Sequence, residues 1–225
     1  MIDRLSSVGR ALLVTSATTL ALILSAPAYA GEPSSTPADE AVPADQVAIA
    51  VATSNGSGCE ANTADVEVLP RNGGFTVTYH TPYAARTGAG SDPTDFRKNC
   101  QVSLSVDRPD GWTYAVSSAS HRGFASLRAG ATGLQRWSHY IQGSSTTRSA
   151  DHNFAGPYRD FWRTFDQVDQ ADLLFSPCDA ERNLNVNTEL RVSAGTSAPD
   201  GSIMAADSSD DDVDSVYRFT WKRCP

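Results

Sequence analysis

From Phe75 onward the chain alternates apolar and polar residues with a period of two. Phe75, Val77 and Tyr79 share one face while Thr76, Thr78 and His80 share the other. Val102, Leu104 and Val106 alternate with Ser103, Ser105 and Asp107 in the same way. The triplets Trp112, Tyr114, Val116 and Tyr217, Phe219, Trp221 repeat the pattern. Successive side chains of a strand point to opposite faces, so each run predicts a half-buried strand. Pro70-Arg71-Asn72-Gly73-Gly74 and Arg108-Pro109-Asp110-Gly111 read as hairpin connections, with Asn-Gly and Asp-Gly supplying residues that tolerate positive φ. A helical period is nearly absent, and Asp166 to Leu174 is its only short candidate after the N-terminal segment. About ten short strands separated by regular turns predict an all-β fold, an antiparallel β-sandwich or jelly roll, with a flattened barrel as runner-up.

The N-terminus has a different character. Arg4 and Arg10 precede an apolar stretch from Ala11 to Ser25, and Ala28-Tyr29-Ala30 offers a small-x-small cleavage site, so residues 1–30 read as a signal peptide cut after Ala30. Pro27 arrives too early for a span of about 20 apolar residues. A retained anchor is the alternative. The arginines are not adjacent, and no cysteine lies near the cleavage site to carry a lipid. Residues 31–45 are rich in Pro, Ser and acids and lack aromatics, the composition of a disordered leader. The folded unit is expected over 46–225.

Charge narrows the partners. The chain has 18 Lys and Arg against 26 Asp and Glu. Residues 1–30 hold Arg4, Arg10 and Asp3, so the remainder carries 16 basic and 25 acidic residues, a net −9. A surface of that sign repels phosphate backbones and anionic lipid, which argues against nucleic acid or membrane as partner. Cys59, Cys100, Cys178 and Cys224 are most simply two disulfides of an extracellular, secreted protein. Four cysteines allow three connectivities. Pairing Cys59 with Cys100 and Cys178 with Cys224 is preferred because each bond then closes a loop across a few neighbouring strands, although the spacing alone does not choose. No C-x-x-C and no Cys/His cluster has metal-ligand spacing.

Several blocks carry a resemblance. They are Asn55-Gly56-Ser57-Gly58-Cys59, Asp92-Pro93-Thr94-Asp95-Phe96-Arg97-Lys98-Asn99-Cys100-Gln101, Arg122-Gly123-Phe124-Ala125, Gly156-Pro157-Tyr158, Asn187-Thr188-Glu189-Leu190-Arg191-Val192 with Gly195-Thr196-Ser197, and Trp221-Lys222-Arg223-Cys224. In unbroken order from about Gln46, they resemble the domain of unknown function 4360 family. That resemblance implies a secreted protein of bacterial or fungal type and supports the cysteine framework, but it supplies no catalytic residue. One departure is Glu60, which follows Cys59 where the family pattern leads to a proline.

Candidate chemistry must then stand residue by residue. His80, His121, His139 and His152 fall on separate strands or turns, and no G-x-S-x-G elbow presents a serine for any of them to activate. Asp160, Asp166, Asp169 and Asp172 could supply the carboxylate pair of a glycoside hydrolase, or simply an acidic surface. Asp207, Asp210, Asp211, Asp212 and Asp214 crowd a Ser-rich turn where hard oxygen ligands could hold a structural calcium, without EF-hand or nonapeptide spacing. Trp162, set off from the Phe161/Phe165 face and followed by Arg163, and Trp137, preceded by Arg136, are the candidate stacking platforms for a sugar ring if either indole faces solvent. Asn55-Gly56-Ser57 also matches a glycosylation acceptor.

These readings favour a secreted, non-enzymatic binding module for a glycan, an envelope polymer or a protein partner. A secreted polysaccharide hydrolase and a passive coat or envelope protein are the alternatives.

Overall fold

The computed structural model describes residues 42–43, 46–197, 200–206 and 215–225. Twelve strands run through them: β1 (Ala48–Asn55), β2 (Ala64–Val68), β3 (Gly74–Tyr79), β4 (Ala84–Thr87), β5 (Arg97–Asp107), β6 (Trp112–Leu127), β7 (Thr132–Ile141), β8 (Arg148–Ala155), β9 (Tyr158–Gln167), β10 (Leu184–Ser193), β11 (Ser202–Ala206) and β12 (Ser215–Arg223). They form two antiparallel sheets. One has the order β1-β5-β10-β7-β8 and the other β2-β3-β12-β6-β11-β4, with β9 also paired to β6. The expected sandwich is present and is not closed into a barrel.

Alternation explains which side chains fill the space between the sheets. Val102, Leu104, Trp137, Leu184, Val186 and Leu190 enter from the first sheet, and Phe75, Val77, Tyr79, Tyr114, Val116 and Tyr217 from the second, all buried. Phe75 stacks on Tyr217 with ring centroids 4.8 Å apart. Tyr83 donates across the sandwich to the carbonyl of Thr188 at 2.6 Å, and Tyr79 shares a 3.1 Å hydrogen bond with the Thr188 hydroxyl. The Tyr79 and Tyr83 hydroxyls thus enter this core with partners.

Strand β6 organises the second sheet. Its residues 118–121 pair with β12 along one edge and β9 along the other, while 123–126 pair with β11 and β9. Near its start both faces are covered, because the segment after β9 crosses over it: Thr113 donates to the Ser176 carbonyl at 2.6 Å and the Ser176 N–H to the Tyr114 carbonyl at 2.9 Å. That crossing segment includes most of the stretch suggested above as a helix. Asp166 and Gln167 instead complete β9, and Gln170–Asp172 form only one 3₁₀ turn.

The two turn sequences differ in the role they play. Asp110-Gly111 makes a tight turn with Gly111 at φ 75°, yet β5 and β6 belong to different sheets, so the turn is an inter-sheet corner and not a hairpin. Between β2 and β3, which do form a hairpin, the positive φ values fall on Arg71, Asn72 and Gly74. At Gly74 a side chain would also collide, since a Cβ there would lie 1.9 Å from the Tyr217 carbonyl oxygen.

Both disulfides take the preferred pairing. Cys59–Cys100 is buried and ties the β1–β2 loop to β5. Cys178–Cys224 fastens the segment that crosses β6 to the end of the chain.

Candidate functional site

Among the described residues strand β9 has one neighbour, β6, in its sheet, and its two faces differ sharply. Tyr158, Trp162, Thr164 and Asp166 turn toward the other sheet, and Arg159, Phe161, Arg163, Phe165 and Gln167 turn outward. The register with β6 sets Phe161 beside Phe124, Phe165 beside Ser120, Arg163 beside Arg122, Arg159 beside Ser126 and Gln167 beside Ser118. Direct partners in an antiparallel pair share a face, so these ten residues lie on one face of the strand pair, with Ser118 and the Arg122 Nε and Nη2 buried. Phe161 is 67 % exposed and Phe165 63 %. Phe124 braces Phe161 edge-on, with ring centroids 5.5 Å apart. On β11, Ile203 and Ala205 extend the patch beside Ser126 and Phe124.

Two phenylalanine rings held in water on one strand forgo roughly 1.5–3 kcal/mol each that burial would supply, so folding does not explain their position. Polar groups surround them. Arg159 and Arg163 are exposed and, among the described residues, neither has a carboxylate partner. The ten-residue patch contains no carboxylate at all.

The tryptophans suggested by the sequence are elsewhere. Trp137 is 2 % exposed and Trp162 4 %. Trp137 lies between the sheets, stacked on His139 at 5.3 Å, and its indole N–H donates to Asp166 at 2.7 Å. Trp162 packs against Phe154 at 5.8 Å. Neither indole is a surface platform, because the opposite sheet covers the face of β7 and β9 that carries them. Trp137→Ala is expected to lower stability by about 3–5 kcal/mol in a urea melt, through the cavity it leaves and the donor it removes from Asp166. Arg136 does face outward, on the first sheet, but both its Nε and Nη2 are held by Asp151 at 2.5 Å. It belongs to a ladder of ion pairs that continues through Glu189 to Arg97 and Arg191. Of the four residues, only Arg163 stands at the exposed aromatic patch.

The histidines do not assemble a hydrolytic centre among the described residues. His121 shares a 2.9 Å hydrogen bond with the Ser215 hydroxyl, but both are sealed in the core, and burial lowers the imidazole pKa to about 3. Burial likewise takes His139 down to about 4, aided by Arg148. His80 bonds Asp65 at 2.6 Å on the surface. His152 bonds Asp166 at 2.9 Å and, with Trp137, forms a clasp between the facing sheets. Asp172 is paired with Arg148, and Asp160 accepts the Phe161 N–H, so the four aspartates of this segment are dispersed.

Two open cavities lie away from the aromatic patch. One of about 370 Å³ is bounded by Ile141–Ser144 and Leu173–Phe175 and has no histidine or carboxylate in its lining. Another of about 310 Å³ gathers Asp107, Asp110, Asp179 and Glu181 around Arg108, without an aromatic ring on which a sugar could stack. Arg108 is committed to the carbonyls of Trp112 and Pro177. The calcium candidates Asp207, Asp210, Asp211, Asp212 and Asp214 lie outside the described residues. Among those described, no group of three or more His, Cys, Asp or Glu is placed to hold a metal ion.

Fold, disulfides and patch define a class: an extracellular β-sandwich presenting an exposed aromatic and basic sheet face. More particularly, the chain belongs to the family described as a domain of unknown function (DUF4360), whose model matches residues 45–224. An uncharacterized secreted protein of Arthroderma benhamiae is 30 % identical over 180 residues, covering 80 % of this chain and 73 % of that one. With two disulfides formed and such a relative, the protein is a secreted one. Solved structures resemble it only distantly. A carbohydrate-binding module, TmCBM61 in complex with beta-1,4-galactotriose, aligns at a TM-score of 0.29 and 9 % identity over 80 % of this chain and 90 % of that one. The enzymatically active domain of bacteriophage CBA120 tailspike protein 4 aligns at 0.28 and 12 % identity over 79 % of this chain and 20 % of that one. Similarity at this level carries no argument about the site.

Proposed function

We propose that this secreted protein is a non-enzymatic binding module that holds a glycan on the outer face of β9 and β6. The observation that carries the reading is the exposure of Phe161 and Phe165 on one strand face, spaced about 14 Å apart by the rise of an extended chain. Flat apolar rings interleaved with hydrogen-bonding side chains are the chemistry that the C–H faces and hydroxyls of a sugar chain require. Ser120, Ser126, Arg163 and Gln167 lie beside the rings to meet the hydroxyls. A rigid sheet also offers these groups without an ordering cost at binding.

The test is retention on insoluble polysaccharides by the wild type and by Phe161→Ala/Phe165→Ala. The double variant is expected to lose at least about tenfold in affinity, as expected when anchoring aromatic contacts are removed. Its denaturation midpoint should stay within about 0.5 kcal/mol per site of the wild type, because exposed rings contribute little to folding. Undiminished retention by the double variant would remove the patch from the account.

A further inference from the structure

The charge of the patch says what kind of glycan it takes. Along the outward face of β9 the order is Arg159, Phe161, Arg163, Phe165, Gln167, so a cation and a ring alternate at roughly 7 Å intervals. The protein as a whole carries a net charge of −8, and most of its arginines near carboxylates are consumed by them: Arg86 by Asp95, Arg97 and Arg191 by Glu189, Arg136 by Asp151, Arg148 by Asp172. Arg159 and Arg163 depart from that habit. They are exposed, and none of the ten residues of β9 and β6 on that face is acidic. Arg159 and Arg163, two exposed cations of like charge on one strand face, are eased by an anion that lies over them.

Resting on the glycan reading above, we infer that the ligand is an acidic polysaccharide whose sugar rings carry carboxylates, laid along β9. A carboxylate attached to a pyranose projects from the ring edge, so a ring stacked on Phe161 or Phe165 leaves its charge free to reach sideways. Arg159 and Arg163 stand on either side of Phe161 to receive it. The guanidinium plane matches a carboxylate with two parallel N–H···O bonds, a geometry that a point charge does not offer. Charge complementarity thus selects one occupant for the face. A second copy of this chain, the other candidate for an unpartnered strand edge, would bring the same arginines and repel.

Polygalacturonate and the same polymer after methyl esterification separate the two contributions, since esterification erases the charge and keeps the ring. Titrated into the full oxidised protein and followed by calorimetry, polygalacturonate is expected to bind at least about tenfold more tightly than the ester, and the advantage should shrink between 0.05 and 0.5 M NaCl as screening shortens to a few ångströms (roughly). Arg159→Gln/Arg163→Gln should bind the acidic polymer no better than the ester, while Phe161→Ala/Phe165→Ala should weaken on both. Equal affinity for acid and ester overturns the inference about charge and leaves the glycan reading standing. No binding to either polymer, nor to a panel of neutral polysaccharides, overturns both. Dimerisation abolished by Phe161→Ala/Phe165→Ala, seen by light scattering, also overturns both and assigns the face to a second copy.

Discussion

Taking the oxidised protein from pH 7 to pH 4 is expected to cost it on the order of 5 kcal/mol of unfolding free energy. His121 and His139 are neutral in the folded core, with pKa values near 3 and 4, and titrate near 6.5 once the chain unfolds. Between those limits the unfolded state binds more protons than the native one. Stability is therefore complete above about pH 6.5 and falls by about 1.4 kcal/mol per pH unit for each histidine as the solution is acidified. Asp95 acts in the same direction but lower down. The Lys98 ammonium at 2.9 Å and the Arg86 guanidinium at 3.0 Å hold its carboxyl at about 2, so its contribution is intact above about pH 4 and is lost only as pH falls toward 2. Loss between pH 6.5 and about 5 accordingly belongs to the imidazoles, before Glu189 and Asp151, whose carboxyls are also held below their ordinary values, begin to contribute. His139 stacks flat on Trp137, is fully buried and, among the described residues, has no hydrogen-bond partner on either ring nitrogen, which makes Phe a close replacement. His139→Phe should halve the slope of urea stability against pH in that window. A wild-type protein equally stable at pH 7 and pH 4.5 would show that these rings reach water or a partner.

Reduction has the larger effect of the two. The bonds separate residues by 41 and 46 positions, and in the chain-entropy model loops of that length each contribute about 4 kcal/mol. Both together approach the whole stability of an ordinary domain, about 5–15 kcal/mol. Excess dithiothreitol at 37 °C should therefore unfold the chain, seen as loss of near-ultraviolet dichroism. The order of reduction is also set by burial. Cys178 is exposed, whereas Cys59 and Cys100 are buried, so thiol labelling and mass spectrometry should find the Cys178–Cys224 pair open first while the fold persists. A native spectrum after complete reduction would mean that packing alone holds the sandwich.

Much of this architecture is legible in the sequence because alternation is a local signal. The faces carrying Phe75, Val77, Tyr79 and Val102, Leu104 are those that turn inward. Pairing that closes loops over neighbouring strands is what the sandwich realises, since it brings those cysteines together. Where the reading departs from the structure, the deciding contact is distant in sequence. Asp110-Gly111 has the same turn chemistry in a hairpin as in a corner, and only the partners of β5 and β6 distinguish them. Strand β9 is aromatic on both faces, so periodicity alone cannot choose between Trp162 and Phe161. A signal was nonetheless present: Arg159 and Arg163 share the parity of the phenylalanines, and two arginines resist burial more than Thr164 and Tyr158 do. His139 shares the parity of Trp137 and Ile141 on β7 and is buried with them.

The central claim is that the outer face of β9 and β6 receives the ligand. Backbone chemical-shift mapping of the ¹⁵N-labelled protein with oligogalacturonate tests it most directly. Perturbations are predicted at residues 118–126 and 159–167. Shifts confined to Gln101, Tyr140 and Asn187 on the first sheet, or to the acidic cavity around Arg108, would contradict it.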